Sequence, residues 1–277
     1  MRIILKKSEI FWVGIAVIFF IILLVVGWLF IGKFILGVLI ILYLLILLVV
    51  CIGLYNSNEK VLDTVKKQYR HIESLFSLFS LLKLNAPLPT IEGWAILPDE
   101  LKIIADTIYE RQPELVLELG SGVSTIVSAY CLRNLGKGKL VSFDHDQEFL
   151  LKTRKTLEDH DLHDIAKAIY APLKQINIKG SKMLWYDTRR LHNIGKIDVL
   201  IIDGPPGDIQ HYARYPALPL LFDKLSDEAI IILDDGIRED EKEIVRLWLK
   251  EFEGLSAVLK HTEKGTYIIR KSKKNSS

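Results

Sequence analysis

Two membrane-crossing helices followed by an α/β domain, with a mostly parallel sheet that ends in an antiparallel hairpin, is the fold the sequence predicts. Three observations carry this. An apolar run from Ile10 to Leu54 is broken by one charge, Lys33. Strand-like and helix-like segments alternate after Pro98, and two strand-like runs, LSAVLKH and TYIIR, close the chain. Alternation of strand and helix builds parallel sheets, because a parallel neighbour needs a long crossover and a helix supplies it. The short link TEKG between the last two runs allows only an antiparallel return. The chain has 277 residues and a formal charge of +2, so no excess of basic residues calls for nucleic acid.

The apolar run comes first. A bilayer core is about 30 Å thick and a helix rises about 1.5 Å per residue, so ~20 residues span it. The stretch from Ile10 to Leu54 is roughly twice that, which predicts two passes turning at Gly32 and Lys33. A secretory signal peptide would have a single apolar core of roughly 7 to 15 residues and a small-residue cleavage site. Neither is present. Arg2, Lys6 and Lys7 precede the first pass, and Lys60, Lys66, Lys67 and Arg70 follow the second. The positive-inside rule then places both ends in the cytoplasm, making this a multi-pass protein of the cell membrane with a cytoplasmic domain. Cys51 and Cys131 are the only cysteines and offer no disulfide framework, in keeping with a reducing compartment.

Next, Val61, Val65, Tyr69, Ile72, Phe76 and Phe79 recur every three or four residues among charges, the pattern of an amphipathic helix. It is expected to pack on the globular domain; the membrane surface and a second copy of itself are the other surfaces it could meet. NAPLP, Asn85 to Pro89, stops it. The organisation read from the sequence is therefore a transmembrane hairpin over 1–57, a linker helix over 58–90, a catalytic domain over 91–270 and a basic tail over 271–277. Such a tail is solvated and able to meet anionic lipid.

Within the domain, strands are expected at Leu115 to Leu119, Leu140 to Asp144, Ala166 to Ala171, Val199 to Asp203 and Ile230 to Asp234. Helices are expected at Val123 to Asn134, Gln147 to Asp159 and Glu239 to Phe252. Trp185 and Trp248 are read in helix-like contexts as core or partly covered residues. There is no internal repeat, no zinc-type spacing, and no Gly-Lys-Ser or Gly-Lys-Thr after the glycines, which excludes a P-loop.

The chemistry starts at LVLELGSGVST, Leu115 to Thr125. Gly120 and Gly122 let the backbone turn and approach a ligand closely. The helix starting near Val123 points free N–H groups at the same place, favouring a carboxylate or phosphate. Asp144 ends the second strand, where a carboxylate can accept from both hydroxyls of a ribose. Loop and acid together describe a nucleoside carrying a small charged group. NAD and S-adenosylmethionine both meet that description, but NAD wants a third glycine where this chain has Thr125.

Glu118, the loop GSG, Asp144 and the terminal hairpin together resemble the class I S-adenosylmethionine-dependent methyltransferases, across about Ile91 to Arg270. GWAILPDEL, VLELGSGVST, IDGPPG, ARYPALP and ILDDG are similar to an uncharacterised bacterial and archaeal group within that class, distantly like the catechol-type O-methyltransferases. The resemblance implies a Rossmann-like methyltransferase fold and S-adenosylmethionine as cofactor. It implies that Gly120, Ser121 and Gly122 line the methionine portion, that Glu118 orders the loop, and that Asp144 binds the ribose. After the third strand, YAPL, Tyr170 to Leu173, offers the adenine only backbone and apolar contact. Trp94 is a candidate cover for the cofactor.

Asp203 ends the fourth expected strand, and Asp234 and Asp235 the fifth; ligands in open parallel sheets bind beyond these ends. Three converging carboxylates bind a hard cation, share protons or stay apart. In catechol-type enzymes two aspartates and an asparagine at matching places hold Mg²⁺. Here Asp235 stands for the asparagine, and GPPGD replaces the loop that carries a lysine there. A divalent metal is accordingly not favoured, and Asp235 is expected to turn toward a helix N-terminus. Asp203 and Asp234 are expected in the site, with Asp203 also meeting the cofactor, and His211 as a further candidate base. Arg214 and Tyr215 either contact the substrate or brace the loop. The expected function is a membrane-anchored methyltransferase with an unknown, amphiphilic acceptor, O-methyl transfer being favoured. Two alternatives stand: an NAD-dependent oxidoreductase, and a membrane scaffold that binds a nucleoside without catalysis.

Overall fold

The computed structural model describes residues 7–30, 32–89, 96–191 and 194–273. The chain forms two compact units, residues 1–69 and 70–277. Arg2, Lys6, Trp94 and the last four residues of the tail lie outside the described residues.

In the first unit, α1 (Lys7–Phe30) and the start of α2 (Lys33–Leu81) are joined at Gly32, whose carbonyl accepts from the Ile35 amide at 3.0 Å. Phe20 and Tyr43 stack across the pair, ring centres 3.5 Å apart. Both helices are long and apolar enough to cross a membrane. Phe11, Trp12, Trp28, Phe34 and Val49 point outward. So much exposed apolar surface is unfavourable in water and suits hydrocarbon. Cys51 is exposed on α2, whereas Cys131, in the second unit, is buried. Burial pushes the Cys131 thiol up to about 12.

In the second unit, the last turns of α2 pack on the domain. Ser74, Leu78 and Leu82 are buried, and Arg70 donates to the His261 carbonyl at 2.7 Å. His71 lies 3.2 Å from Glu263 and 3.6 Å from Asp99. The contact is not made by the face the sequence pattern marks: Val61, Val65, Tyr69, Ile72, Phe76 and Phe79 are all exposed, and the helix meets the domain through Ser74 and Leu78 instead.

The sheet then builds from β1 (Leu115–Leu119), β2 (Lys139–Asp144), β3 (Ala166–Tyr170), β6 (Ile197–Ile202), β7 (Leu225–Leu233), β8 (Leu255–Lys260) and β9 (Thr266–Lys271). Their order is β3-β2-β1-β6-β7-β9-β8, the first five parallel and the last two antiparallel. Both faces of β1, of β6 and of β7 from Ala229 to Leu233 are largely covered, which is why these stretches are mostly apolar, with Glu118 a buried acid among them. Alternation along each strand divides the core. Val116, Val199 and Ile230 meet α3 (Pro98–Arg111), α4 (Val123–Leu135) and α5 (Gln147–Asp159). Leu117, Leu200 and Ile231 meet α6 (Ala217–Leu221) and α7 (Glu239–Glu251).

A correction concerns residues 173–186. The sequence reading placed Trp185 in a helix-like context, but it lies on a strand. β4 (Leu173–Ile178) and β5 (Ser181–Tyr186) form a separate antiparallel hairpin between β3 and β6, where helical crossovers are usual. Its turn is Lys179 and Gly180, both with positive φ (51° and 88°), the backbone of the tightest hairpin turns. Only half of the signal is in the sequence: QINI alternates before Lys-Gly, whereas SKML after it does not. Trp185 and Tyr186, on opposite faces of the end of β5, are both at most 1% exposed. Trp248 does sit in a helix, α7, buried.

Candidate active site

The glycine loop follows β1 and lies against β6. At Gly120 φ is +103°, and a Cβ there would come within 3.2 Å of the Gly204 amide and 3.5 Å of Asp203, so glycine is required. Ser121 donates twice to Asp144 Oδ2, from its amide at 3.0 Å and its hydroxyl at 2.6 Å. In front of Gly122 the space is open: a Cβ there meets nothing within 4 Å. The Gly122 amide donates to the Thr125 hydroxyl at 3.0 Å, and that hydroxyl donates to Glu118 at 2.5 Å. Thr125, whose presence argued against NAD, thus ties the loop to the first strand. Glu118 is fully buried, and burial raises its carboxyl to about 7 against hydrogen bonds that lower it.

Asp144 is 5% exposed, and its Oδ1 accepts from the Asp146 amide at 2.9 Å. Asp146 in turn caps α5, accepting from the amides of Glu148 and Phe149. A carboxylate offers about four acceptor sites, so the three donors it holds leave capacity for a ligand hydroxyl. After β3, the Ala171 amide donates to the Asp144 carbonyl at 2.7 Å, which sets the segment Tyr170 to Leu173 beside the acid.

At the ends of β6 and β7, Asp203, Asp234 and Asp235 converge, with one carboxylate oxygen of each within 4.8 Å of the others. The Asp203 and Gly204 amides both donate to the Leu119 carbonyl, at 2.9 and 2.7 Å, tying this corner to the glycine loop. Arg214 reaches into the cluster and is 2% exposed. Its Nη2 donates to Asp235 Oδ2 at 2.7 Å and to the Asp203 carbonyl at 2.5 Å, and its Nη1 to the Asp234 carbonyl at 2.8 Å. Of the two roles open to it, loop brace is the one the geometry shows. Burial works against the charge of Arg214, but Asp203, Asp235, Asp234 and Glu241 outweigh it and raise its pKa.

The three aspartates are not equivalent. The Asp203 side chain keeps 22% exposure, against 1% for Asp234 and 6% for Asp235. Burial, then the charge of Asp234, pushes the Asp203 carboxyl well above the usual range. Asp234 is opposed by burial yet held below its usual value by a hydrogen bond with Glu100 and by Arg214 and Lys264. Glu100, buried on α3, is raised well above its usual value by burial and by Asp234, so it carries the proton of the pair. Asp235 turns toward Arg238, at the start of α7, at 2.9 Å.

His211 lies apart from the cluster's hydrogen bonds. Its side chain is 90% exposed, with Nδ1 3.2 Å from Asp240. Asp240 borders a cleft of about 330 Å³ that Gly207, Asp208, Ala213 and Glu241 also line. Tyr215 points away, donating to Glu251 at 2.7 Å. The sequence reading passed over Tyr186 and Glu100. The Tyr186 hydroxyl is buried without a hydrogen-bond partner among the described residues and abuts Gly204, where any Cβ would collide with it. Tyr186 lies in no quoted motif, and Glu100, though within GWAILPDEL, is brought to the site only by the topology.

Residues 117–236 match the family model described as a methyltransferase domain. No match is found among curated proteins. Among solved structures, the SAH-bound methyltransferase of Podospora anserina is 16% identical with a TM-score of 0.54, covering 78% of this chain and 97% of its own. An O-methyltransferase of Streptomyces achromogenes, solved with SAM and involved in tomaymycin synthesis, is 13% identical with a TM-score of 0.51, covering 74% and 98%. The O-methyltransferase of Bacillus cereus, solved with SAH, is 15% identical with a TM-score of 0.50, covering 75% and 97%. These likenesses concern the fold. With the glycine loop, the matched segment and the strand order in agreement, the globular part of this chain has the class I methyltransferase fold, and its residues 117–236 match a methyltransferase domain.

Proposed function

We propose that the chain transfers a methyl group from S-adenosylmethionine to an oxygen of an amphiphilic acceptor at the cytoplasmic face of a membrane. One observation carries the reading: the open space before Gly122 is bounded by the Glu118–Thr125 brace and Asp144, and the loop abuts the exposed edge of Asp203. Asp144 accepts from the ribose, Gly120, Ser121 and Gly122 line the methionine portion, and Glu118 holds the loop through Thr125. The cofactor supplies an electrophilic methyl whose departure leaves neutral S-adenosylhomocysteine. Methyl transfer is an in-line displacement, so aligning the reactants away from water does much of the work, with effective molarities of roughly 10⁵ to 10⁸ M attainable.

Asp203 takes the proton that the acceptor hydroxyl loses as its oxygen bonds to the methyl. A carboxylate whose pKa is raised is the better base near neutrality. Asp234 serves from behind, keeping its charge through Glu100 and biasing Asp203 upward. His211, held by Asp240 at the rim of the cleft, is the second candidate base. The two separate by experiment: Asp203→Asn abolishes transfer if Asp203 is the base, and His211→Ala does so if His211 is.

The antiparallel β8–β9 end and Thr125 both speak against an NAD site. Full-length protein in detergent should be stabilised by S-adenosylhomocysteine and not by NAD, by about 2.7 kcal/mol at 100-fold excess over Kd. The reverse result overturns the proposal. The apolar helices α1 and α2 support the tether, and a tether concentrates membrane-borne acceptors at the site. Labelled methyl should then appear in membrane extracts and not in soluble ones.

A further inference from the structure

The catechol-type resemblance implies a divalent cation among the acids that end the strands, and Asp203, Asp234 and Asp235 do converge. The residues present do not fit one. An ion bound by carboxylates sits 2.0 to 2.6 Å from each oxygen, roughly, and needs that space to itself. Here Arg214 Nη2 is in it, 2.7 Å from Asp235 Oδ2 and 3.5 Å from Asp203 Oδ1.

We infer that the guanidinium of Arg214 occupies the cation's place in the Asp203–Asp234–Asp235 cluster, which closes the cluster to metal. Charge agrees with distance. The acids already face positive groups of this chain: Arg214, 2.7 Å from Asp235 and 3.7 Å from Glu241, Arg238 at 2.9 Å from Asp235, and Lys264 at 3.8 Å from Asp234. A divalent ion entering the cluster would meet the repulsion of these cations, Arg214 nearest of all. Arg214 also does what a bare ion cannot. A guanidinium has five donors in a fixed plane, and two of its nitrogens reach the carbonyls of Asp203 and Asp234, clipping the ends of β6 and β7 together. It is a positioning residue: it fixes where the Asp203 carboxyl faces the ligand and does not itself meet the acceptor. The inference rests on the methyltransferase reading only through the cation which that reading implies.

The test uses the full chain in detergent, stripped with EDTA, and Mn²⁺ as probe, followed by electron paramagnetic resonance. Wild type should bind no Mn²⁺ beyond an Asp203→Asn, Asp235→Asn double variant, and its melting temperature and S-adenosylhomocysteine affinity should not change with Mn²⁺ or Mg²⁺. Arg214→Met should gain a Mn²⁺ site at least ~tenfold tighter than wild type and melt higher when the ion is added, while Arg214→Lys, which keeps a cation, should not. Stoichiometric Mn²⁺ in wild type, lost in the double variant, overturns the inference, as does a folded Arg214→Met that binds none. If Arg214→Met does not fold, the wild-type titration decides. Failure of the wild type to bind S-adenosylhomocysteine at all, with no Mn²⁺ bound, overturns the methyltransferase reading instead and leaves Arg214 where it is.

Discussion

Asp144 and Glu118 share one loop but hold it by different means. Asp144 takes both donors of Ser121, so Asp144→Ala should loosen the loop as well as strand the ribose hydroxyls. S-adenosylhomocysteine affinity should fall by about 1.5 to 3 kcal/mol, and the apo protein should lose about 1 to 3 kcal/mol in denaturant unfolding. Unchanged affinity in calorimetry would remove Asp144 from the ribose. Glu118 is held near neutrality of charge by burial, with a pKa of about 7 against 4.5 in the unfolded chain. The native state therefore keeps its proton longer than the unfolded state does. Its contribution to stability is complete below pH 4.5, declines as the pH rises from 4.5 to about 7, and is gone above. Unfolding of wild type should lose about 3 kcal/mol across that window from this group, and Glu118→Gln should flatten the loss while keeping an acceptor for Thr125. The acids and glycines were legible because each needs a particular residue type at a particular place in the chain. Thr125 was legible only as a missing glycine; that its hydroxyl does the bracing depends on a rotamer no spacing shows. Arg214 was visible in ARYPALP, but its partners lie 11, 20 and 21 positions away, at strand ends that only the sheet brings together.

Among the elements, the parallel strands and α4, α5 and α7 fall within a few residues of the sequence reading, because mostly apolar runs and helical spacing each have one cheap solution. β4 and β5 escaped it. They form a two-stranded hairpin with one face toward solvent, so their pattern is weak and mixed, and an α/β chain leads one to expect a helix at that crossover. The hairpin matters to the site because it delivers Tyr186, whose buried hydroxyl has no partner among the described residues. Burying an unsatisfied hydroxyl costs free energy, so Tyr186→Phe should raise apo stability by about 1 kcal/mol, read as a higher melting temperature. A lower melting temperature would mean that the hydroxyl is hydrogen-bonded in solution. Leu184 takes both hydrogen bonds of the Gln210 side chain, at 2.8 and 3.1 Å, so the hairpin is also joined to the loop after β6.

At the scale of the whole molecule, the proposed function makes the two apolar helices a tether that sets where methyl transfer takes place. Reporters fused before Ile10 and after Leu54 should both be cytoplasmic, and an external signal from residues beyond 91 would cut the domain off from its cofactor and sink the proposed function. A second readout needs no fusion, because the two cysteines are placed in contrasting surroundings. Thiol reagents react with the thiolate in water. Cys131, buried and pushed up to about 12, is closed to them in the folded domain. Cys51 faces outward from the apolar part of α2. In intact membranes a charged maleimide applied from either side should therefore label nothing, in detergent it should label the chain once, and after denaturation twice. The native chain is thereby its own depth gauge: any label gained before detergent is added would mean that α2 meets water at Cys51 and does not lie in lipid.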